Sequence, residues 1–278
     1  MTARTITAPG PGPEREALRQ AYLGLLKLAL CDLIGTTTTS VVEGLPGGGV
    51  RTADLASDEL EKRVEGMDWP VHGLTMTGLR RLDDLQGCVE SVVDEEIDGD
   101  LIETGSWRGG SSMLMRATLD SLGARERKVY VADSFAGFPT AEQSPPTYPQ
   151  TCGPYFTGFE LLTAPLDEVR ASFRRLGLEA SVEFVPGLFE QTLPSLRGHS
   201  WSLIRLDGDT YDATMLALRC LYDGLSPGGY VIVDDYGALE ECRTAVTEFR
   251  AQRNISQPLT QIDFTCVRWQ RARAPASS

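Results

Sequence analysis

From Asp100 onward, the chain alternates short apolar runs with stretches that have the three- and four-residue spacing of amphipathic helices. The runs are apolar at successive positions, which is typical of strands covered on both faces. Five such runs lie at 101–103, 129–133, 182–185, 201–207 and 230–235, and two more, at 259–263 and 266–270, are close enough to pair as a hairpin. The pattern predicts an α/β fold built on a doubly wound, mostly parallel, seven-stranded sheet.

The first 95 residues have a different pattern. Residues 1–15 are rich in Pro, Gly and Thr and are expected to form a flexible tail. Residues 16–95 are expected to be largely helical, because leucines and valines recur at helical spacing over 14–34 and 75–93. The Thr- and Gly-rich residues 35–49 predict a mobile loop, and residues 69–72 predict a turn. Residues 96–278 then form the ligand-binding domain.

Ligands of doubly wound sheets bind at the carboxyl ends of the strands, where this chain carries a Glu-Thr-Gly-Ser-Trp-Arg-Gly-Gly turn. A dinucleotide site needs a second glycine where pyrophosphate approaches the backbone, and the bulky Trp107 lies in that part of the turn. Glu103, two residues before Gly105, repels phosphate and suits a cationic ligand. S-adenosylmethionine (SAM) carries an ammonium and a sulfonium but no phosphate. The turn therefore predicts a SAM site with Glu103 as the ammonium anchor, or else a plain β–α turn.

The next two predicted strands end in further candidate ligands. Asp133, followed by Ser134, lies where an acidic residue grips a ribose diol, although an aspartate there also suits a helix cap. Gly187 and Phe189 follow the third strand and are candidates for contact with adenine, while Phe189 is equally compatible with a core position.

Aspartates end the fourth and fifth predicted strands, at Asp207, Asp209, Asp234 and Asp235. These strands are expected to be neighbours, so their ends bring the carboxylates within a few ångströms of one another. Crowded carboxylates repel, and a hard divalent cation such as Mg²⁺ relieves the repulsion. The pattern predicts a metal site at Asp207, Asp234 and Asp235, with capping of the next helices as the alternative.

Three other enzyme classes match part of the sequence pattern described so far. A haloacid-dehalogenase-like phosphatase needs a Lys or Arg between its two aspartate motifs, but no Lys follows Lys128, and Arg219 is the one Arg between the motifs. A glycosyltransferase D-x-D site leaves Glu103 and Asp133 unexplained. A nicotinamide-dependent oxidoreductase conflicts with the turn at Trp107. All three classes are therefore disfavoured.

Residues 74–235 resemble the macrocin O-methyltransferase family, the SAM- and Mg²⁺-dependent enzymes of mycinamicin and novobiocin biosynthesis. The resemblance rests on "GDLIETGSWRGGSSMLMRA", "VYVADSFAGFP" and "LIRLDGDTYDATMLALRCLYDGLSPGGYVIVDDY", in that order. It implies a class I SAM-dependent methyltransferase fold with an N-terminal helical lid over 16–95. It also implies methylation of a hydroxyl, on a sugar of a glycosylated natural product or a nucleotide sugar, or alternatively on a non-sugar hydroxyl or vicinal diol of an aglycone.

The resemblance also assigns roles to individual residues. It implies Asp207 as the general base and Asp207, Asp234 and Asp235 as metal ligands. By its chemistry Asp209 can also accept the proton, and a histidine is the further alternative for the base. The implied SAM-binding residues are Met76, Glu103, Thr104, Gly105, Ser106, Arg108, Ser111, Asp133, Ser134, Gly187, Phe189 and Asp207. The implied acceptor contacts are Trp69, His72, Tyr155 and Tyr211. One departure is that residues 140–161 lack the histidine that some family members carry there.

The chain's charge limits its partners. The formal net charge is −13, which disfavours nucleic acid and anionic membrane surfaces. The six cysteines form no CxxC pair, so reduced core cysteines and a cytoplasmic location are expected. The family resemblance implies a homo-oligomer that acts on small molecules.

Overall fold

The structure is a computed structural model that describes residues 12–45, 48–151 and 156–273. Its helices are α1 (Pro13–Leu30), α2 (Leu60–Val64), α3 (Gly78–Asp94), α4 (Gly110–Leu122), α5 (Leu166–Arg175), α6 (Phe189–Thr192), α7 (Tyr211–Leu221) and α8 (Glu240–Gln252). Its strands are β1 (Thr39–Gly44), β2 (Val50–Asp54), β3 (Trp69–Pro70), β4 (Asp100–Thr104), β5 (Val129–Asp133), β6 (Val182–Pro186), β7 (Trp201–Leu206), β8 (Leu225–Val233), β9 (Thr260–Gln261) and β10 (Val267–Gln270).

The main sheet has seven strands in the order β6-β5-β4-β7-β8-β10-β9. Strands β4 to β8 run parallel to one another, and β10 is antiparallel to both β8 and β9. Thr104 pairs with Leu206, and Leu206 pairs with Val233, so β4, β7 and β8 end at the same level. This topology confirms the predicted fold class and brings the acidic residues at those ends together.

The predicted loop at 35–49 is wrong for residues 39–44, which form β1 of a small antiparallel sheet in the order β2-β1-β3. The β-branched Val41 and Val42 favour this strand, and the glycine-rich composition around them hid the signal. Residues 69–70, predicted as part of a turn, pair with β1 as an edge strand, a position that tolerates Pro70. The N-terminal region therefore contains a sheet as well as helices.

Residues 12–15 were expected in the flexible tail, but α1 begins at Pro13, which suits the first helical position. Residues 1–11 of that predicted tail lie outside the described residues. Helix α3 packs in one core with α4 and the main sheet, through Leu82, Val89 and their neighbours. The second core, on the other face of the sheet, lies beneath α7 and α8.

Buried Arg63 joins the pieces of the N-terminal region. Its Nη2 donates to Asp68 at 2.7 Å and to the carbonyl of Thr39 at 3.1 Å, and its Nη1 donates to the carbonyl of Cys31 at 3.0 Å. One side chain thus connects the end of α1, the start of β1 and the segment that leads to Trp69.

The described cysteines, at 31, 88, 220, 242 and 266, are free and buried, in keeping with the expected reduced core cysteines. Across the described ranges, every helix is too short or too polar to cross a lipid bilayer.

Two glycines provide a matched test of the β4–α4 turn. Gly105 and Gly123 both have a φ of 82°, but a Cβ on Gly105 would overlap the carbonyl oxygen of Asp207, whereas one on Gly123 meets nothing within 4 Å. We expect Gly123→Ala to lower the free energy of unfolding by about 1 kcal/mol, the cost of the left-handed backbone. Gly105→Ala should lower it by about 3 kcal/mol or more, because β7 must also shift. Equal losses in urea denaturation would contradict this close approach.

Candidate active site

A cavity of about 1120 Å³ opens at the carboxyl ends of β4, β5, β7 and β8. It is large enough for a nucleoside cofactor together with a second ligand. The residues predicted from the sequence that line it are Trp69, Met76, Glu103, Gly105, Ser106, Ser111, Asp133, Ser134, Gly187, Phe189, Asp207, Asp209, Asp234 and Asp235. The fold therefore gathers most of the predicted site in one place.

Asp133 organises the turn that follows β4. Its Oδ2 accepts hydrogen bonds from the backbone N–H groups of Ser106 and Trp107 at 2.7 and 2.9 Å, and its Oδ1 accepts one from Phe135 at 2.8 Å. These bonds fix the carboxylate at the cavity wall while leaving lone pairs for a ligand. Asp133 thus caps a turn, the alternative role that an aspartate at this position suited, and lines the cavity as well.

Glu103 is 1% exposed. Its Oε1 accepts a hydrogen bond from Nη1 of Arg205 at 2.7 Å, and its Oε2 accepts one from Oγ of Ser112. Burial raises the pKa of Glu103 to about 7 against the opposing attraction of Arg205. A cationic ligand beside Glu103 would favour its ionised form in the same way as Arg205 does.

Arg205 is the counter-ion of three carboxylates. Besides Glu103, its Nη1 donates to Asp207 at 2.7 Å and its Nη2 donates to Asp234. The guanidinium is almost fully buried, although β7 is otherwise apolar apart from Ser202. Arg205 was not predicted as a site residue. It could have been found from the sequence, because a charged residue inside an apolar run that predicts a central strand needs buried partners of opposite charge.

Asp234 lies between two guanidinium groups. Its second oxygen accepts a hydrogen bond from Arg81 of α3, and Nε of Arg81 also donates to Asp263 at 2.6 Å. Burial by itself would raise the pKa of Asp234, but Arg81 and Arg205 lower it below its usual value. Asp234 is therefore held as a carboxylate by residues from two different parts of the fold.

The predicted metal ligands do converge. One carboxylate oxygen each from Asp207, Asp234 and Asp235 lies within 4.8 Å of the others. Oδ2 of Asp235 is buried and lacks a hydrogen-bond partner in the described structure. Burial and the neighbouring carboxylates raise the pKa of Asp235 well above its usual value and that of Asp209 to about 8. An orphaned oxygen among crowded carboxylates fits a hard divalent cation.

Other predicted residues lie elsewhere. Arg108 and His72 line a separate cavity of about 300 Å³, where Arg108 donates to the carbonyls of Val71 and Gly73, both at 2.8 Å. Thr104 is buried in β4. Tyr211 donates to Glu248 at 2.6 Å and stacks on Tyr148, which lines the main cavity. Tyr155 lies outside the described residues.

Three aromatic rings also line the cavity. The ring of Phe156 lies 5.9 Å from that of Trp69 and 5.5 Å from that of Phe138. The neighbouring loop is tied to α7, because the N–H of Thr147 donates to Asp212 at 2.8 Å. The cavity thus combines an acidic floor with an apolar side.

Replacing Arg205 tests the ionic centre. We expect Arg205→Met to lower the free energy of unfolding by about 3 kcal/mol or more at neutral pH, because it leaves buried carboxylates without their counter-ion. The matched control is Arg51→Met, which removes an exposed ion pair with Glu43 and should cost less than about 1 kcal/mol. Urea denaturation measures both variants. A loss in Arg205→Met no larger than in the control would show that the buried network contributes little.

The sequence and the fold both have relatives among characterised proteins. The profile of the macrocin-O-methyltransferase (TylF) family matches residues 49–271. The chain is 42% identical to a rhamnosyl-tetracenomycin C 4'-O-methyltransferase of Streptomyces olivaceus, over 95% of this chain and 97% of the relative. It is 38% identical to mycinamicin III 3''-O-methyltransferase of Micromonospora griseorubida, over 91% and 97%. The structure of the O-methyltransferase NovP matches with a TM-score of 0.79 and 36% identity, over 92% of this chain and 100% of NovP. The chain belongs to the macrocin O-methyltransferase family and is an O-methyltransferase.

Proposed function

We propose that the enzyme transfers a methyl group from SAM to a sugar hydroxyl of a glycosylated natural product, with Mg²⁺ bound at Asp207, Asp234 and Asp235. The observation that carries the proposal is the convergence of these three carboxylates within 4.8 Å, in the same cavity as the Glu103 turn and Asp133. Family membership implies SAM as the methyl donor. The named substrate of the tetracenomycin relative carries a rhamnosyl group, which supports a sugar as the acceptor.

The chain's own groups suit the charged methionine end of SAM and its ribose. Glu103 offers a buried carboxylate to the ammonium, and a nearby cluster of hydroxyls lines the same cavity. In that cluster, Oγ1 of Thr75 lies 3.1 Å from Oγ1 of Thr77 and 3.3 Å from Oγ of Ser111. These hydroxyls can donate to the methionine carboxylate. Asp133, held by the turn after β4, is placed to accept hydrogen bonds from a ribose diol.

The metal would supply one chemical effect, since a bound divalent cation lowers the pKa of a coordinated hydroxyl. Asp207 and Asp234 are already oriented by Arg205, so we assign them and Asp235 to the metal. Asp209 then serves as the base that accepts the proton of the acceptor hydroxyl. Burial and neighbouring carboxylates raise its pKa to about 8, and a cation bound beside it would lower that pKa and favour the carboxylate that accepts the proton.

The charge of the cavity separates two acceptor classes. Arg81 is the one cation among the described residues that line the cavity, and it is already paired with Asp234 and Asp263. A nucleotide sugar would place its diphosphate against this acidic surface without a free side-chain cation among the described lining residues. The cavity therefore favours a neutral glycosylated product over a nucleotide sugar. Methylation of a non-sugar hydroxyl on the aglycone is the remaining alternative. Product analysis with a panel of acceptors distinguishes it from methylation of the sugar.

Metal removal tests the assignment of the carboxylates. We expect EDTA to abolish methyl transfer and added Mg²⁺ to restore it, because the acceptor hydroxyl is a poor nucleophile without a cation. Asp235→Asn should lower Mg²⁺ affinity in calorimetry by about 10-fold or more, while Asp223→Asn, on the exposed surface, should leave it unchanged. Full turnover of the wild type in EDTA would overturn the metal assignment.

A second substitution tests the SAM anchor. Glu103→Gln keeps the shape of the side chain but removes its charge, so we expect SAM affinity to fall about 10-fold, the size of one lost charged hydrogen bond. Glu183→Gln is the control, because Glu183 forms an exposed pair with Lys128. Isothermal titration calorimetry with SAM compares the variants. Equal affinity in Glu103→Gln and the wild type would refute the anchoring role.

A further inference from the structure

Apolar side chains stand unusually exposed at one edge of the active-site cavity. Phe264 is 51% exposed and Met67 is 62% exposed, and both line the cavity. Ala238 and Leu239 line it with them. We call these four residues the apolar rim. Arg81, whose guanidinium lies against the Phe264 ring, donates from Nη2 to the carbonyl of Gly66, next to Met67, at 3.4 Å. Large apolar side chains held open to water at a cavity mouth mark a surface that a ligand covers.

Phe264 is held on a rigid turn between β9 and β10. Oδ1 of Asp263 accepts the N–H groups of Thr265 and Cys266 at 2.9 and 2.8 Å, and the other oxygen of Asp263 is bound by Arg81. The N–H of Gly237 donates to the carbonyl of Thr265 at 2.7 Å. The ring is therefore pre-organised in its exposed position, which reduces the entropy lost when a ligand covers it.

The apolar rim adjoins the carboxylate cluster. Oγ1 of Thr265 donates to the carbonyl of Asp234 at 2.7 Å, and the N–H of Leu239 donates to the carbonyl of Asp235 at 2.9 Å. The Phe264 ring lies 5.7 Å from the guanidinium carbon of Arg81, which binds Asp234. A ligand whose hydroxyl reaches the carboxylates thus extends its remaining atoms over this rim.

The order of the strands shows which ligand that is. Apart from residues 75–77, the proposed SAM contacts lie at or after the ends of β4, β5 and β6, on one side of the carboxylates at the ends of β7 and β8. Ala238 and Leu239 follow β8, and Phe264 precedes β10, on the opposite side. The adenosine and the apolar rim are therefore separated by the carboxylates, and the rim is left to the acceptor.

We propose that Phe264, together with Met67, binds the apolar ring system of the acceptor's aglycone and so determines acceptor specificity. This inference rests on the proposed function and adds to it the residues that recognise the non-sugar part. Covering the exposed half of a phenylalanine removes about 100 Å² of apolar surface from water. Part of that gain is offset by ordering the ligand, so we expect about a 10-fold effect on affinity.

The experiment uses two probes that carry the same sugar. One is 8-demethyl-8-(2,3-dimethoxy-α-L-rhamnosyl)-tetracenomycin C, the named substrate of a relative, and the other is the methyl glycoside of that dimethoxy-rhamnose. Binding to the protein with SAM and Mg²⁺ is measured by calorimetry, and turnover is measured separately. The variants are Phe264→Ala, Phe264→Leu and the control Leu176→Ala, which removes an exposed apolar side chain outside the described cavity lining.

We expect Phe264→Ala to weaken binding of the tetracenomycin glycoside, and to raise its KM, by about 10-fold. Binding of SAM and of the methyl glycoside should change less than about twofold, and Phe264→Leu should restore most of the affinity. The control should match the wild type. Equal binding of the tetracenomycin glycoside by Phe264→Ala and the wild type, or no binding by either, would overturn the proposal.

Other outcomes separate the two proposals. An equal loss for both glycosides would also overturn the role of the apolar rim, because the ring would then be acting through the carboxylate site rather than on the aglycone. If the wild type binds the tetracenomycin glycoside without methylating it, the proposed function loses support on that acceptor. A selective loss of binding in Phe264→Ala would still support the rim in that case.

Discussion

The arrangement of the active site depends on one buried guanidinium. Arg205 joins carboxylates from the ends of three adjacent strands, Glu103 near the end of β4, Asp207 after β7 and Asp234 after β8. Without a shared cation, three acidic groups could not be packed this closely in a dry interior, since each would protonate or turn to water. The same contact links the proposed SAM anchor to two of the proposed metal ligands. Cofactor site and metal site are thus parts of one electrostatic unit.

The acidic groups of this electrostatic unit outnumber its cations. Arg81 and Arg205 face Glu103, Asp207, Asp209, Asp234 and Asp235, and the excess acid appears as raised pKa values at Asp209 and Asp235. A divalent cation and a cationic methyl donor both complement such a surface. The net charge of −13 for the whole chain carries no such information, because most of it is spread over solvated surface. The location of the acid, rather than its amount, gives the cavity its chemistry.

Much of the fold and the carboxylate cluster could be predicted from the sequence, because continuous apolar runs report buried strands and parallel strands place their ends together. The partners of those carboxylates could not. Arg81 lies 153 residues from Asp234 in sequence, and only the packing of α3 against the sheet brings them together. The small sheet of β1, β2 and β3 was not predicted, because the glycines around Val41 and Val42 favoured a loop. Arg108 was expected to contact SAM because of its position in the β4–α4 turn, but its side chain lines a separate cavity.

Arg81 gives the N-terminal region a share in the chemistry of the C-terminal sheet. It belongs to α3, yet its guanidinium neutralises Asp234 and anchors the turn that carries Phe264. A fragment that began at Asp100 would keep every strand of the main sheet and still lose a cation from the centre of its active site. The boundary drawn by secondary-structure pattern near residue 96 therefore runs between the two members of one buried ion pair, Arg81 and Asp234.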